Sequence, residues 1–90
     1  PKIPFQIFRV AGHSMEPTLT AGQFVLVYRW AEPKVGDVVV VNDTERNILI
    51  VKRIVNEVGP GKWKVAGDNP GHEGSRVVNK SEIIGMVIGY

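Results

Sequence analysis

Cysteine is absent from this 90-residue chain. A disulfide framework, a cysteine-ligated zinc finger and a thiol nucleophile are therefore excluded, and the redox compartment stays open. Charge of one sign is also lacking. The formal net charge is only +2, and the basic residues are scattered from Lys2 to Lys80. That is no basic footprint, so no nucleic-acid partner is expected. No apolar run approaches the ~18–20 residues that cross a bilayer, so these residues are not expected to span a membrane. The chain begins at Pro1 with neither methionine nor a basic-then-apolar leader, as a trimmed piece of a longer chain would. An anchor outside it stays open. Leucine and alanine are scarce, 7 together against 23 valines and isoleucines. β-branched side chains suit pleated strands and are mediocre in helices.

What is present fits one small domain over residues 1–90. Hydrophobic residues make up 43% and charged residues 22%, the balance of a globular domain rather than a disordered tail. A chain of this length buries roughly 60–65% of its unfolded surface, enough for one modest core. Strands are expected over Phe5–Ala11, Phe24–Trp30, Asp37–Val41, Asn47–Val58, Lys62–Ala66 and Ile83–Tyr90, separated by turns rich in glycine and proline. Phe24–Trp30, apolar on both faces at its start, reads as a central strand. No segment of ~10 or more residues carries helical periodicity. The expected fold class is all-β, a small barrel or sandwich of antiparallel strands. Phe5, Trp30 and Trp63 are expected in the core. For Pro1–Phe5 and Trp30 the alternative is an exposed apolar rim touching lipid.

Two places depart from ordinary strand and turn. The first is Gly12-His13-Ser14-Met15-Glu16-Pro17-Thr18-Leu19, which opens where the first strand ends. It reads either as a turn in which Ser14 caps one helical turn that Pro17 stops, or as a serine nucleophile whose neighbouring N–H groups face a developing oxyanion. The second is Lys52. Strand alternation sets it on one face with Ile48, Ile50 and Ile54, and sets Arg53 on the other with Leu49, Val51 and Val55. Either cation can snorkel to water from a strand edge. A lysine kept in apolar surroundings instead has its charged form disfavoured, and its neutral amine can act as general base to a serine. Arginine stays protonated and cannot. A histidine base is the rival. His13 adjoins Ser14, and neighbours in an extended segment point apart; His72 reaches only if the Gly67–Ser75 loop folds over. Two distant histidines without cysteine lack the usual spacing of metal ligands, so no metal is expected.

Together these stretches resemble bacterial type I signal peptidases. Ser14-Met15-Glu16-Pro17-Thr18-Leu19 is similar to their Ser-Met-x-Pro-Thr-Leu box, and Gly36-Asp37-Val38-Val39-Val40 to their Gly-Asp-hydrophobic strand. Val51-Lys52-Arg53-Ile54-Val55 resembles their Lys-Arg box, and Gly67-Asp68-Asn69 with Ser75-Arg76 their last box. Order and spacing agree across nearly the whole chain. The resemblance implies strongly bent antiparallel β-sheets around a Ser–Lys catalytic core, with Ser14 as nucleophile and part of the oxyanion hole and Lys52 as base. Arg53, Asp68 and Arg76 would brace the site. It implies cleavage of extended protein or peptide substrates after small residues, the substrate adding as a strand beside the one before Ser14 and the one carrying Lys52. Met15 and Ile50 are the candidate walls of the small-residue pockets. No cofactor is implied. The location implied is a membrane face if an anchor precedes Pro1, and otherwise the soluble cytoplasm.

The departures are specific. Gly12 stands where some relatives carry a serine oxyanion donor, which leaves backbone groups or Thr18 for that task. His72 falls at the position that contacts the lysine, and Gly74 replaces an aspartate. The large second domain of many members is missing between Val58 and Lys62. Trp63 to Pro70 also resembles the peptidases that mature nickel-type superoxide dismutase. A LexA-like self-cleaving or regulatory β domain shares the Ser–Lys arrangement but lacks the Gly-Asp-Asn box.

Overall fold

The computed structural model describes residues 3–90; Pro1 and Lys2 of the expected apolar rim lie outside the described residues. Seven strands follow in order: β1 (Phe5–Arg9), β2 (Phe24–Tyr28), β3 (Val38–Asp43), β4 (Ile48–Gly59), β5 (Lys62–Ala66), β6 (Arg76–Asn79) and β7 (Ile83–Gly89). The only helical element among the described residues is one 3₁₀ turn, Lys80–Glu82. The strands form a single antiparallel sheet in the order β1-β2-β7-β3-β4-β5-β6. The fold is all-β as expected, but it is one continuous sheet with two edges rather than a closed barrel. Register shifts fall between Leu26 and Val27, between Val40 and Val41, and twice along the β4–β5 pair. Such bulges bend and twist a sheet, so one sheet supplies the curvature anticipated from several.

The run of four valines in β3 explains how one sheet makes two cores. Val38 and Val40 pack on one face with Val10, Met15, Leu19, Val25 and Val27. Val39 and Val41 pack on the other with Ile54, Trp63, Val65 and Val78. A strand covered on both sides needs apolar residues at every position rather than alternate ones. Each of these side chains gains about 1.5–3 kcal/mol by leaving water, which is how two small clusters hold a chain this short.

β1 and β2 behave differently. Phe8, Val10, Val25 and Val27 face the first core, whereas Ile7, Phe24 and Leu26 face solvent. Phe5, expected inside, is 48% exposed and Trp30 is 63% exposed. The alternation of the edge strand turns Phe5 outward, where it meets Tyr28 across the ladder with ring centroids 5.4 Å apart. Trp30 lies beyond the end of β2 and has no strand to hold it inward. Trp63 is buried in the second core, as expected. The strand β6 and its 3₁₀ turn go beyond the sequence pattern, because Arg76-Val77-Val78-Asn79 is too short to show a period.

Candidate active site

The site lies where the end of β1, the first half of β4 and the Gly67–Ser75 loop meet. After β1 the chain leaves the sheet in a turn closed by Glu16 N–H to His13 carbonyl (3.2 Å) and Leu19 N–H to Met15 carbonyl (2.9 Å). Met15 and Leu19 plug this turn into the first core, which holds Ser14 half-buried at the surface. Met15 is only 1% exposed and lines no part of the cleft beside Ser14, unlike Ile50. A cleft of about 300 Å³ runs between Ala11–Ser14 on one side and Ile48–Lys52 on the other, with Phe8, Arg9, Val40 and Arg46 completing it.

Lys52 is 7% exposed. Its strand neighbour is Val39, and Ile54 beside it is fully buried. This is the apolar face that alternation predicts. Burial holds the amine below its ordinary value, and the positive charges of Arg46 and Arg76 push it the same way. Its Nζ donates to the Glu73 carbonyl at 2.9 Å. Among the described residues no hydrogen bond joins it to the Ser14 hydroxyl, although both groups line the one cleft. The Ser14 N–H likewise has no acceptor among the described residues.

The Gly67–Ser75 loop grips both groups. Asn69 donates its N–H to the Ser14 carbonyl (2.8 Å) and its side-chain Nδ2 to the His13 carbonyl (2.8 Å). Gly67 packs so closely on the Ser14 turn that a Cβ there would lie 2.9 Å from Ser14 Cβ and run into the Ser14 carbonyl oxygen. The loop then folds back on itself. Gly67 N–H donates to the Glu73 carbonyl at 2.6 Å, so that oxygen receives both this bond and the lysine. Gly74 has φ +52°, and a Cβ on it would approach Lys52 Nζ to 3.0 Å. His72, aligned with the position that contacts the lysine, is exposed; its neighbour's backbone carbonyl makes that contact.

Asp68 ties the turn, the strand and the loop together. Its carboxylate accepts from Arg53 Nε and Nη2, both at 2.9 Å, and from the Thr18 hydroxyl at 2.7 Å. Arg53 Nη1 continues to the Gly36 carbonyl at 2.7 Å. The Arg53 guanidinium, aided by Thr18, holds the Asp68 carboxyl below its usual range. Thr18 was one of two ways to replace the missing serine donor at Gly12. Its proton is committed to Asp68, which leaves only backbone groups for the oxyanion role that the resemblance implies. Arg76 takes a different partner from Arg53: its Nη1 lies 2.9 Å from Asp43 Oδ2. Asp43 is 2% exposed and also accepts from Arg46 Nε at 2.8 Å and from Arg46 N–H at 3.3 Å. Arg46 above all holds its carboxyl down at about 2.

Sequence reasoning missed Asp43, Arg46 and the Glu73 carbonyl. A backbone carbonyl leaves no trace in residue identity. Asp43 had a signal: an aspartate ending an all-valine strand with an arginine three residues on is the pattern of a side chain bonding forward to the backbone.

Residues 4–88 match the Peptidase S24-like family. The chain belongs to that family. A signal peptidase complex catalytic subunit SEC11 from Metarhizium robertsii is 36% identical over 97% of the chain and 58% of its own length. Its counterpart in Chaetomium globosum is 34% identical over the same shares. A signal peptidase I from Bacillus licheniformis is 37% identical over 61% of the chain and 32% of its own. The chain thus spans somewhat over half the length of the SEC11 relatives. No solved structure matches it. No helix among the described residues is long and apolar enough to cross a membrane.

Proposed function

We propose that this S24-like domain is the catalytic part of a signal-peptidase-like serine endopeptidase that cleaves extended peptides after small residues. Ser14 is the nucleophile and Lys52 its general base. The observation that carries this reading is a lysine amine, desolvated and facing two guanidiniums, in one cleft with a serine on a braced turn. A lysine is useful as a base only when its charged form is disfavoured, and burial in an apolar strand does that. The neutral amine takes the Ser14 proton as Oγ attacks the scissile carbonyl. The protonated amine then gives that proton to the leaving amine, and Lys52 next activates the water that releases the acyl group. The unpartnered Ser14 N–H is available to the oxyanion. Catalytic hydrogen bonds are commonly long before substrate arrives, which accommodates an amine resting on the Glu73 carbonyl.

The backbone supports the substrate class. β1 is an edge strand of the sheet. β4 pairs with β5 only from Arg53 onward, so Ile48–Lys52 present a second open edge to the cleft. An extended peptide between them gains ladder hydrogen bonds from its backbone, and Ile50 lines the space left for its side chains. Exposed Ile7, Phe24, Leu26 and Tyr90 line one shallow apolar hollow, and we read it as the face that meets lipid.

The test is cleavage of peptides carrying Ala-x-Ala before the scissile bond. Ser14→Ala and Lys52→Ala are each expected to lower kcat by about 10³-fold or more, and unchanged turnover in either rejects the dyad. In the wild type, kcat/KM rises with pH as the amine loses its proton, with an apparent pKa below the free value of ~10.4. A limb that follows His72→Ala instead assigns the base to histidine.

A further inference from the structure

Behind the Lys52 amine lies a second hollow of about 340 Å³, lined by Asp43, Arg46, Ile50, Lys52, Ser75 and Arg76 among others, and not by Ser14. Its charge pattern is unusual. Two guanidiniums converge on one carboxylate oxygen, Asp43 Oδ2, at 2.8 and 2.9 Å, on a side chain that is almost wholly buried. The three residues come from three places: the end of β3, the β3–β4 hairpin and the first residue of β6. Without the aspartate, two cations would stand side by side next to a third. Arg76 is also the residue at which the Gly71–Ser75 loop rejoins the sheet, paired with Val65. Whatever fixes Arg76 fixes the downstream end of the loop whose Glu73 carbonyl holds the amine.

We propose that Asp43 is the positioning residue of the general base: it gathers Arg46 and Arg76 behind Lys52, and this ion cluster sets the pH at which the amine becomes free. The cluster acts on Lys52 in two ways. It clamps the loop that orients the amine. It also places two positive charges and one negative charge close enough that their balance decides how strongly the ammonium form is disfavoured. The direction of the shift at Lys52, in which Arg46 and Arg76 follow burial as causes, agrees. The other charged groups around the amine are Arg9 and His13 across the cleft, and Glu45 in the hairpin. The Glu73 carboxylate is turned back to the Gly71 N–H.

This rests on Lys52 being the base, and the experiment separates the two. The side-chain ε-carbon of Lys52 is titrated by NMR in the full-length protein, with Lys52→Ala identifying the signal, alongside the pH profile of kcat/KM. Asp43→Asn removes the negative charge and keeps the shape; the Lys52 midpoint and the rate limb are expected to move to lower pH. Arg46→Gln, at an exposed position, removes one positive charge; both are expected to move to higher pH. Each shift is on the order of half a unit or more. Opposite movements from two residues that touch each other are beyond a merely structural role. Midpoints that stay put in Arg46→Gln, or that move in the same direction in both variants, overturn the proposal, and Arg46→Gln alone decides if Asp43→Asn does not fold. Turnover surviving in Lys52→Ala rejects the base assignment instead, because the NMR midpoint reads the amine independently of catalysis.

Discussion

At the scale of single residues, the site depends as much on what is missing as on what is present. Gly67 touches the Ser14 turn with no room for a methyl group between them. Gly67→Ala must push the turn away from β4, and a displacement near 1 Å is expected to cost on the order of 10²-fold in kcat/KM. Peptide kinetics with a matched far-UV spectrum would check this, and an active, normally folded variant would contradict it. The surroundings of the two proposed catalytic residues were legible in the sequence: Lys52 among isoleucines and Ser14 opening a proline-stopped turn. The contacts that hold them were not. Alternation puts Lys52 on an apolar face, but only tertiary structure brings the Glu73 carbonyl to its amine. Met15 shows the opposite failure. It is adjacent to Ser14 in sequence, yet the turn directs it into the core.

At the scale of elements, the Thr18–Asp68–Arg53 link ties the Ser14 turn and the Gly67–Asn69 loop to β4. Asp68→Asn is expected to lower stability by about 2 kcal/mol at pH 7. Because Arg53 depresses the folded-state pKa of Asp68, its contribution is present above the unfolded value of ~3.9 and is lost as pH falls through the lower folded value. The gap between wild type and variant, read from urea midpoints, should therefore close from about pH 5 downward and vanish in strong acid. A gap that persists there would mean that shape, not charge, carries the link. Six of the seven strands were predictable to within two residues at each end, since valine-rich runs between glycine turns leave few alternatives. β1 ends two residues early, at Arg9. β6 was invisible because four residues carry no period, and its pairing with β5 is decided by the long loop before it.

At the scale of the whole molecule, one bent sheet has two cores and a bare flank. Phe24 and Leu26 follow the same apolar pattern as Val25 and Val27, so sequence could not say that only one face of β2 would be covered. The flank predicts vesicle binding. Ile7→Ser combined with Phe24→Ser should reduce co-sedimentation with lipid vesicles several-fold while leaving cleavage of soluble peptides intact, because neither side chain lies on the Ser14–Lys52 side of the cleft. Equal sedimentation of variant and wild type would remove the flank from membrane contact.

The open stretch of β4 has a further consequence. A chain can be stitched onto Ile48–Lys52 only while its own amides are unengaged, so a target already wound into a helix or closed in a hairpin offers nothing to bind. On the proposed function, cutting would be confined to the interval before the target folds. Timing, as much as the identity of the small side chains, would then decide which bonds are broken.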